Sequence, residues 1–175
     1  MPPMCTAYAT IAGAVTDRLI HYYVERARGG VGLVNVEFTY VHPTGKLFTH
    51  MLGIYDDRLV QGLKRLVDSV HKEGAKIMVQ ISHAGRRTHS DIIGSIPIAP
   101  SPVPRLNGET PRELSLTEIE EMIQAYIEAG RRAKEAGFDG VMLHMAHGYL
   151  IQQFISPLSN KRMDRYGGDI EGRSR

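Results

Sequence analysis

The chain has 175 residues, enough for one domain or a piece of a larger one, with 42% hydrophobic and 23% charged residues, an ordinary globular balance. Its 21 basic and 19 acidic residues leave a formal charge of +2 without any Lys/Arg run, which speaks against a nucleic-acid partner. The apolar stretches are strand-sized rather than the ~20 residues of a membrane span, MPPMCTAY lacks the regions of a signal peptide, and the single cysteine, Cys5, has no internal disulfide partner, so the composition predicts a cytoplasmic protein with no membrane partner.

The elements alternate along the chain. Pro2 to Met4 reads as the tail of a first strand. Asp17 to Arg28 has a helical pattern, with Thr16 as N-cap and Gly29 as the stop. Val31 to Phe38 is a near-continuous valine-rich run, suited to a strand buried on both faces. Asp56 to Glu73 is an amphipathic helix, apolar at Leu59, Leu63, Leu66, Val67 and Val70 and ending at Gly74. Lys76 to Ser82 is a second strand. Gly85 to Arg112 carries Pro97, Pro100, Pro102, Pro104 and Pro111 and is expected to be loop. The next helix, Leu114 to Gly137, has a capping-box pattern, Ser115 or Thr117 with Glu118 or Glu120. Asp139 to Met145 is a third clear strand, and EGRSR at the end reads as the opening of another helix.

Such alternation means an α/β fold with a parallel sheet. A doubly wound sheet places a glycine-rich phosphate loop after its first strand, and neither GxGxxG nor GxxxxGK[ST] occurs in that setting. A (β/α)8 TIM barrel puts its polar groups just past several strand ends, as Gln80, His83, His144 and His147 are placed here. About four βα units fit within residues 1–175, against ~250 residues for a whole barrel, so an incomplete barrel, the N-terminal half, is expected.

Several residues at those strand ends can carry chemistry. His144 and His147 can each donate an N–H to one ligand oxygen, can bind zinc, or can be ordinary hydrogen-bonded histidines; no third ligand stands at metal spacing. Tyr149 is a proton donor or an amphipathic core residue. The Gln80 carboxamide offers a donor and an acceptor side by side, suited to an imide edge, or is satisfied by backbone. Cys5 is a small buried hydrophobe or a neighbour of a cofactor.

MPPMCTAYAT, VQISHAGR, IAPSPVP and FDGVMLHMAHGYLIQQFISPLSNKRMDRYGGDIEGRSR, in that order, resemble the old yellow enzyme family, and the stretch LIHYYVERARGGVGLVNVEFTYVHPTGK is most similar to its NADH:flavin oxidoreductase and 2-enoate reductase branch. The resemblance implies an FMN-binding barrel in which NAD(P)H reduces the flavin and the flavin passes hydride to an activated alkene. It places Pro3, Met4 and Cys5 along the flavin, Phe38 where a small residue often lies near the pyrimidine ring, and Gln80 on the pyrimidine edge. It makes His144 and His147 the clamp on the substrate carbonyl oxygen and Tyr149 the proton donor. Departures occur at Met145, Met163, Arg165, Asp169 and Gly172. The substrate is left open among enoates, dienoyl thioesters, enones and nitro compounds, and the larger relatives add 4Fe–4S and FAD domains. The phosphate grip of such barrels lies in the loops after strands 7 and 8. Residues 1–175 are therefore expected to bind FMN weakly alone, and to associate through the open barrel edge, as a homo-oligomer or otherwise. Two rival readings are an inactive half-barrel fragment and a metal-dependent hydrolase using His144 and His147.

Overall fold

A computed structural model describes residues 1–175. Along the chain lie α1 (Asp17–Arg28), β1 (Leu33–Tyr40), α2 (Val60–His71), β2 (Lys76–Ser82), α3 (Ser90–Ile93), β3 (Ile98–Ala99), β4 (Arg112–Glu113), α4 (Leu116–Ala136), β5 (Gly140–Leu143), α5 (Leu150–Ile155) and α6 (Ile170–Arg173). The main sheet has the order β1-β2-β5, and both pairings are parallel.

The boundaries follow from caps and periodicity. Thr16 accepts the amide of Leu19 and starts α1. Ser115 and Glu118 form a reciprocal capping box at α4, and Gly137, left-handed at φ 91°, ends it. Val34 and Val36 of β1 and Ile77, Val79 and Ile81 of β2 turn the same way. They pack into one core with Leu19 and Tyr23 of α1, Leu63, Leu66, Val67 and Val70 of α2, and the small residues Ala129, Ala133 and Ala136 of α4. These helices all cover one face of the sheet, so the strands form an arc of barrel wall rather than the two-sided layer of a doubly wound fold. On the other face, the carboxamides of Asn35 and Gln80 both reach the Met142 sulfur, at 3.5 and 3.3 Å.

Three expectations are corrected. The strand tail at Pro2 to Met4 is absent. Only Met1 pairs with β1, donating its ammonium to Leu33 O at 2.8 Å and accepting the Asn35 amide at 3.1 Å. Pro2 and Pro3 have no N–H to continue a ladder. The segment from Gly85 to Arg112 is not all loop. It holds a 3-10 turn at Gly85–Arg87, the short α3, and β3, which pairs in parallel with β4. That small sheet is seated on the second core, formed by Ile98, Leu114, Ile119, Met122, Leu150 and Tyr166. The first strand starts and ends two residues later than the valine run predicts. It also carries a β-bulge between Val36 and Thr39, which re-aims its C-terminal end.

Candidate active site

The C-terminal ends of β1, β2 and β5 meet at one rim. His144 continues the β5 ladder by donating its amide to Ile81 O at 3.0 Å, and its side chain is buried. The chain then turns sharply. His147 has φ 56° and Gly148 φ 74°, both left-handed, and Tyr149 is the N-cap of α5. This turn folds His147 and Tyr149 back over His144. The ring centroids lie 5.1 Å apart for His144 and His147, 4.5 Å for His144 and Tyr149, and 6.3 Å for His147 and Tyr149.

The hydrogen bonds assign the protons. His144 Nδ1 accepts the Ala146 amide at 3.3 Å, so the neutral ring carries its proton on Nε2. That Nε2 lies 3.3 Å from His147 Nδ1, which leaves His147 Nε2 as the second N–H donor. Burial and the neighbouring His147 push His144 below the usual histidine range, so it stays neutral. Burial first, and the Cys5 thiol second, raise the Tyr149 phenol, and Arg87 partly opposes them. The rim therefore presents the His144 N–H and the Tyr149 O–H as neutral donors. No third Cys, Asp, Glu or His joins the histidine pair to make a metal cluster.

Of the other residues singled out by sequence, Gln80 faces the inner side of the sheet. Its amide nitrogen finds only the Met142 sulfur, a weak acceptor. Met4 and Cys5 are exposed beside the strand ends, and Pro3 is half-buried. The protein packed behind Cys5, followed by the Glu37 carboxylate, pushes its thiol up to about 12. Phe38 is buried. Redirected by the bulge, its ring stacks on Tyr149 at 5.3 Å and meets His144 edge-on at 6.1 Å. Here the phenylalanine backs the aromatic cluster.

Two residues that build the rim escaped sequence reasoning. Gln153 of α5 is fully buried. Its amide donates to Ala84 O and Gly148 O, and its oxygen accepts the Arg86 amide, so it stitches the loop after β2 to the turn after β5. Gly85, at φ 57°, leaves it room, since a Cβ there would lie 2.4 Å from Gln153 Oε1. Arg87 donates to His147 O at 2.8 Å, and its guanidinium carbon stands 5.7 Å from the centre of the Tyr149 ring. The only sequence signals were a glutamine within an apolar helix and a second arginine in SHAGRR.

The family pattern of the NADH:flavin oxidoreductase / NADH oxidase family matches residues 1–175 in full. The chain belongs to that family. It is 53% identical over 178 residues to the NADH oxidase of Thermoanaerobacter brockii, covering 100% of this chain and 27% of that protein. It is 44% identical over 176 residues to the NADPH dehydrogenase of Clostridium acetobutylicum, covering 100% of this chain and 51% of that one. Among solved structures, the old yellow enzyme homologue from Zymomonas mobilis superposes with a TM-score of 0.91 at 34% identity, over 99% of this chain and 51% of its own. Morphinone reductase in complex with tetrahydroNAD gives 0.91 at 32% identity, over 99% and 52%. The chain thus spans about half the length of these structures and from a quarter to a half of the relatives. The arc of three strands is a partial TIM barrel of old yellow enzyme type.

The inner face of this family member suits a flavin's hydrogen-bonding edge. Asn35 Oδ1 and Ser82 Oγ are buried without partners, and the Gln80 carboxamide has only a thioether to bond. Unsatisfied buried polar atoms of this kind mark a place where a polar ligand edge completes the network.

Proposed function

We propose that this chain forms the flavin-ring and substrate side of an FMN-dependent oxidoreductase that draws electrons from NAD(P)H and reduces the C=C bond of an enone or enoate. The observation that carries this reading is the convergence of His144, His147 and Tyr149 at the end of a barrel strand, with His144 and Tyr149 both pushed toward their uncharged forms. Gln80 would hold the pyrimidine edge, and Pro3, Met4 and Cys5 would border the ring. When bound, FMN supplies the hydride to the alkene β-carbon.

The chain's own residues supply the rest. The N–H groups on His144 Nε2 and His147 Nε2 point electropositive hydrogens at a carbonyl oxygen, which gains negative charge as the β-carbon accepts hydride. To meet it, His144 gives up its bond to His147 Nδ1, an exchange of one neutral acceptor for a charged one. The Tyr149 hydroxyl holds the proton for the α-carbon, and the Phe38 ring stacked on it fixes the phenol's plane. Both groups gain in the transition state rather than in the bound substrate, which is how binding becomes rate.

Tyr149→Phe in the flavin-loaded protein tests the assignment. Bleaching of the flavin by NAD(P)H is expected to be unchanged, while its reoxidation by an enone slows by about 10²- to 10⁴-fold. Reoxidation at the parent rate would remove Tyr149 from the mechanism. A second reading, that residues 1–175 by themselves hold no FMN and turn nothing over, has its own observation. Val141 and Leu143 on the outer face of the edge strand β5, with Ile123 and Ile127 of α4, form an exposed apolar strip that suits a further protein surface, including another copy of this chain. A visible spectrum of residues 1–175, with or without a flavin band near unit stoichiometry, separates the two.

A further inference from the structure

The inner face of the sheet carries a sulfur that no step above uses. Met142 of β5 stands opposite Gln80 of β2, and two residues nearer the N-terminal end of the strands Met78 lies between Asn35 and Gly140. Gly140 leaves Met78 its room, since a Cβ there would lie 3.0 Å from Met78 Cε. The Met142 sulfur takes two carboxamide nitrogens, Gln80 Nε2 at 3.3 Å and Asn35 Nδ2 at 3.5 Å, and so ties the three strands across the face. A thioether has lone pairs and no hydrogen, so only the NH2 half of each amide can face it. The two halves of a carboxamide have nearly the same shape, and its terminal torsion is broad and two-fold. One sulfur therefore decides which way both amides are turned.

The consequence lies with the oxygens. Asn35 Oδ1 is buried with no partner, and Gln80, half-buried, makes no bond within the chain through Oε1. We propose that Met142 is a positioning residue that sets the polarity of the inner face: by holding the amide nitrogens it leaves the Gln80 oxygen for the ligand, so that the face selects an edge bearing an N–H donor. The inference rests on the flavin reading above for the class of ligand alone, an imide edge with its N–H between two carbonyls. Gln80 Oε1 accepts that N–H, and the second hydrogen on Nε2 remains for the carbonyl beside it. An edge with an acceptor in the same place would set oxygen against oxygen and be refused. A leucine in place of Met142, close to it in volume, would fill the space without choosing between the two orientations.

Nuclear magnetic resonance of residues 1–175 without flavin reads the grip of the sulfur. In Met142→Leu the side-chain NH2 protons of Gln80 and Asn35 are expected to exchange roughly three- to tenfold faster than in the parent. The His144 amide, which bonds Ile81 O in the same ladder, is expected to keep its rate. Unchanged NH2 exchange would overturn the role of the sulfur, and so would an equal rise at His144, which would show loosened packing instead.

Lumiflavin and 3-methyllumiflavin, which carry the ring without a phosphate, read the polarity through quenching of their fluorescence. The parent is expected to bind the methylated flavin at least about tenfold more weakly. Met142→Gln offers its neighbours both an oxygen and an NH2, so it can hold Gln80 either way round. It is expected to keep NH2 exchange slow and yet to shrink that discrimination to about threefold or less, a split that packing does not produce. Equal binding of the two flavins by the parent would overturn the imide edge. Far-UV circular dichroism confirms that each variant is folded before either result is read. The exchange measurement contains no flavin, so its failure leaves the oxidoreductase reading standing, whereas slow exchange with equal binding of the two flavins counts against the flavin edge alone.

Discussion

The two ends of the barrel wall are held together by opposite means. At the N-terminal ends of the strands the contacts are ionic. Asp139 Oδ2 accepts the Ile77 amide at 2.9 Å and His71 Nε2 at 2.7 Å, and its other oxygen meets Lys76 Nζ at 2.8 Å. Burial alone would raise this carboxyl, but Lys76, His71 and the Ile77 amide together hold it well below the usual carboxylate range. Arg28 bridges to Glu73 nearby. At the C-terminal rim the same chain keeps its groups neutral: His83, His144 and the Tyr149 phenol are all pushed toward the uncharged form by burial first. Burial disfavours charge, while partners restore it. One end supplies ionic partners and the other withholds them. The site proposed above, which would polarise a carbonyl and deliver a proton, would gain from neutral donors, whereas the far end needs only to hold strands together.

That comparison breaks most sharply in acid. His83 is fully buried, and burial first, then neighbouring His42, holds it down at about 3. Its Nδ1 accepts the Gly85 amide at 3.0 Å, and its Nε2 pairs with Thr44 Oγ1 at 3.0 Å. A second ring proton would face the Gly85 N–H and break the loop. The folded state resists a proton that the unfolded chain accepts near its ordinary value of about 6.5. Stability from neutral His83 is therefore complete above about pH 6.5 and drains away as pH falls from there toward 3, by roughly 1 kcal/mol per pH unit. Urea midpoints at pH 7, 6 and 5 are expected to show this slope in the parent. In His83→Asn they should start lower at pH 7, by about 1–3 kcal/mol, and fall less steeply down to pH 5, the remaining slope coming from His42 and His144. An equal slope in both proteins would mean that another group carries the acid limb.

The ionic end responds later and more weakly. Asp139 is depressed, so its contribution is present above about pH 4 and is lost only as pH falls through that range. Asp139→Asn keeps the shape, loses the charge and is expected to cost about 1–3 kcal/mol at pH 7, a fall in Tm of about 3–10 °C. The flavin half-reactions per folded molecule should be unchanged. A variant with a parent Tm and altered reoxidation would reverse the assignment of the two ends.

Much of this division was legible in the sequence. Helix α1 and strand β2 fall where caps and apolar period put them, because Thr16, Gly29 and the KIMVQIS run each act locally. Spacing at a strand end brought His144 and His147 forward as a pair, whereas Tyr149, which spacing alone makes a core residue, joined them only through the family resemblance; the three rings do lie together. What was hidden depends on distant partners. The bulge at Val36–Thr39 has no residue signature of its own, and without it Phe38 is only a hydrophobic position on a strand. Gln153 looks like a polar residue on α5 until Ala84, Arg86 and Gly148 close around it. The two-residue strands β3 and β4 hide within a proline-rich stretch because their register is set by the core beneath them.

The smallest expected effect belongs to Arg87, a cation at the edge of the neutral rim. Arg87 holds His147 O, and so helps to keep that residue at φ 56°, while its charge lies close enough to Tyr149 to oppose the upward push of burial and Cys5. A phenol with a lower pKa gives up its proton more readily, so if Tyr149 is the acid proposed above, Arg87 tunes it from outside the reacting atoms. Arg87→Met removes both effects. It is expected to lower kcat/KM by about three- to tenfold, a loss on the order of 1 kcal/mol, and to move the alkaline limb of the pH–rate profile upward as Tyr149 becomes the weaker acid. Arg87→Lys keeps the charge without the planar fork and is expected to restore the limb while recovering only part of the rate. If both variants lose rate equally with the limb in place, Arg87 acts through the His147 carbonyl alone, and the rim is neutral by construction rather than tuned by a nearby charge.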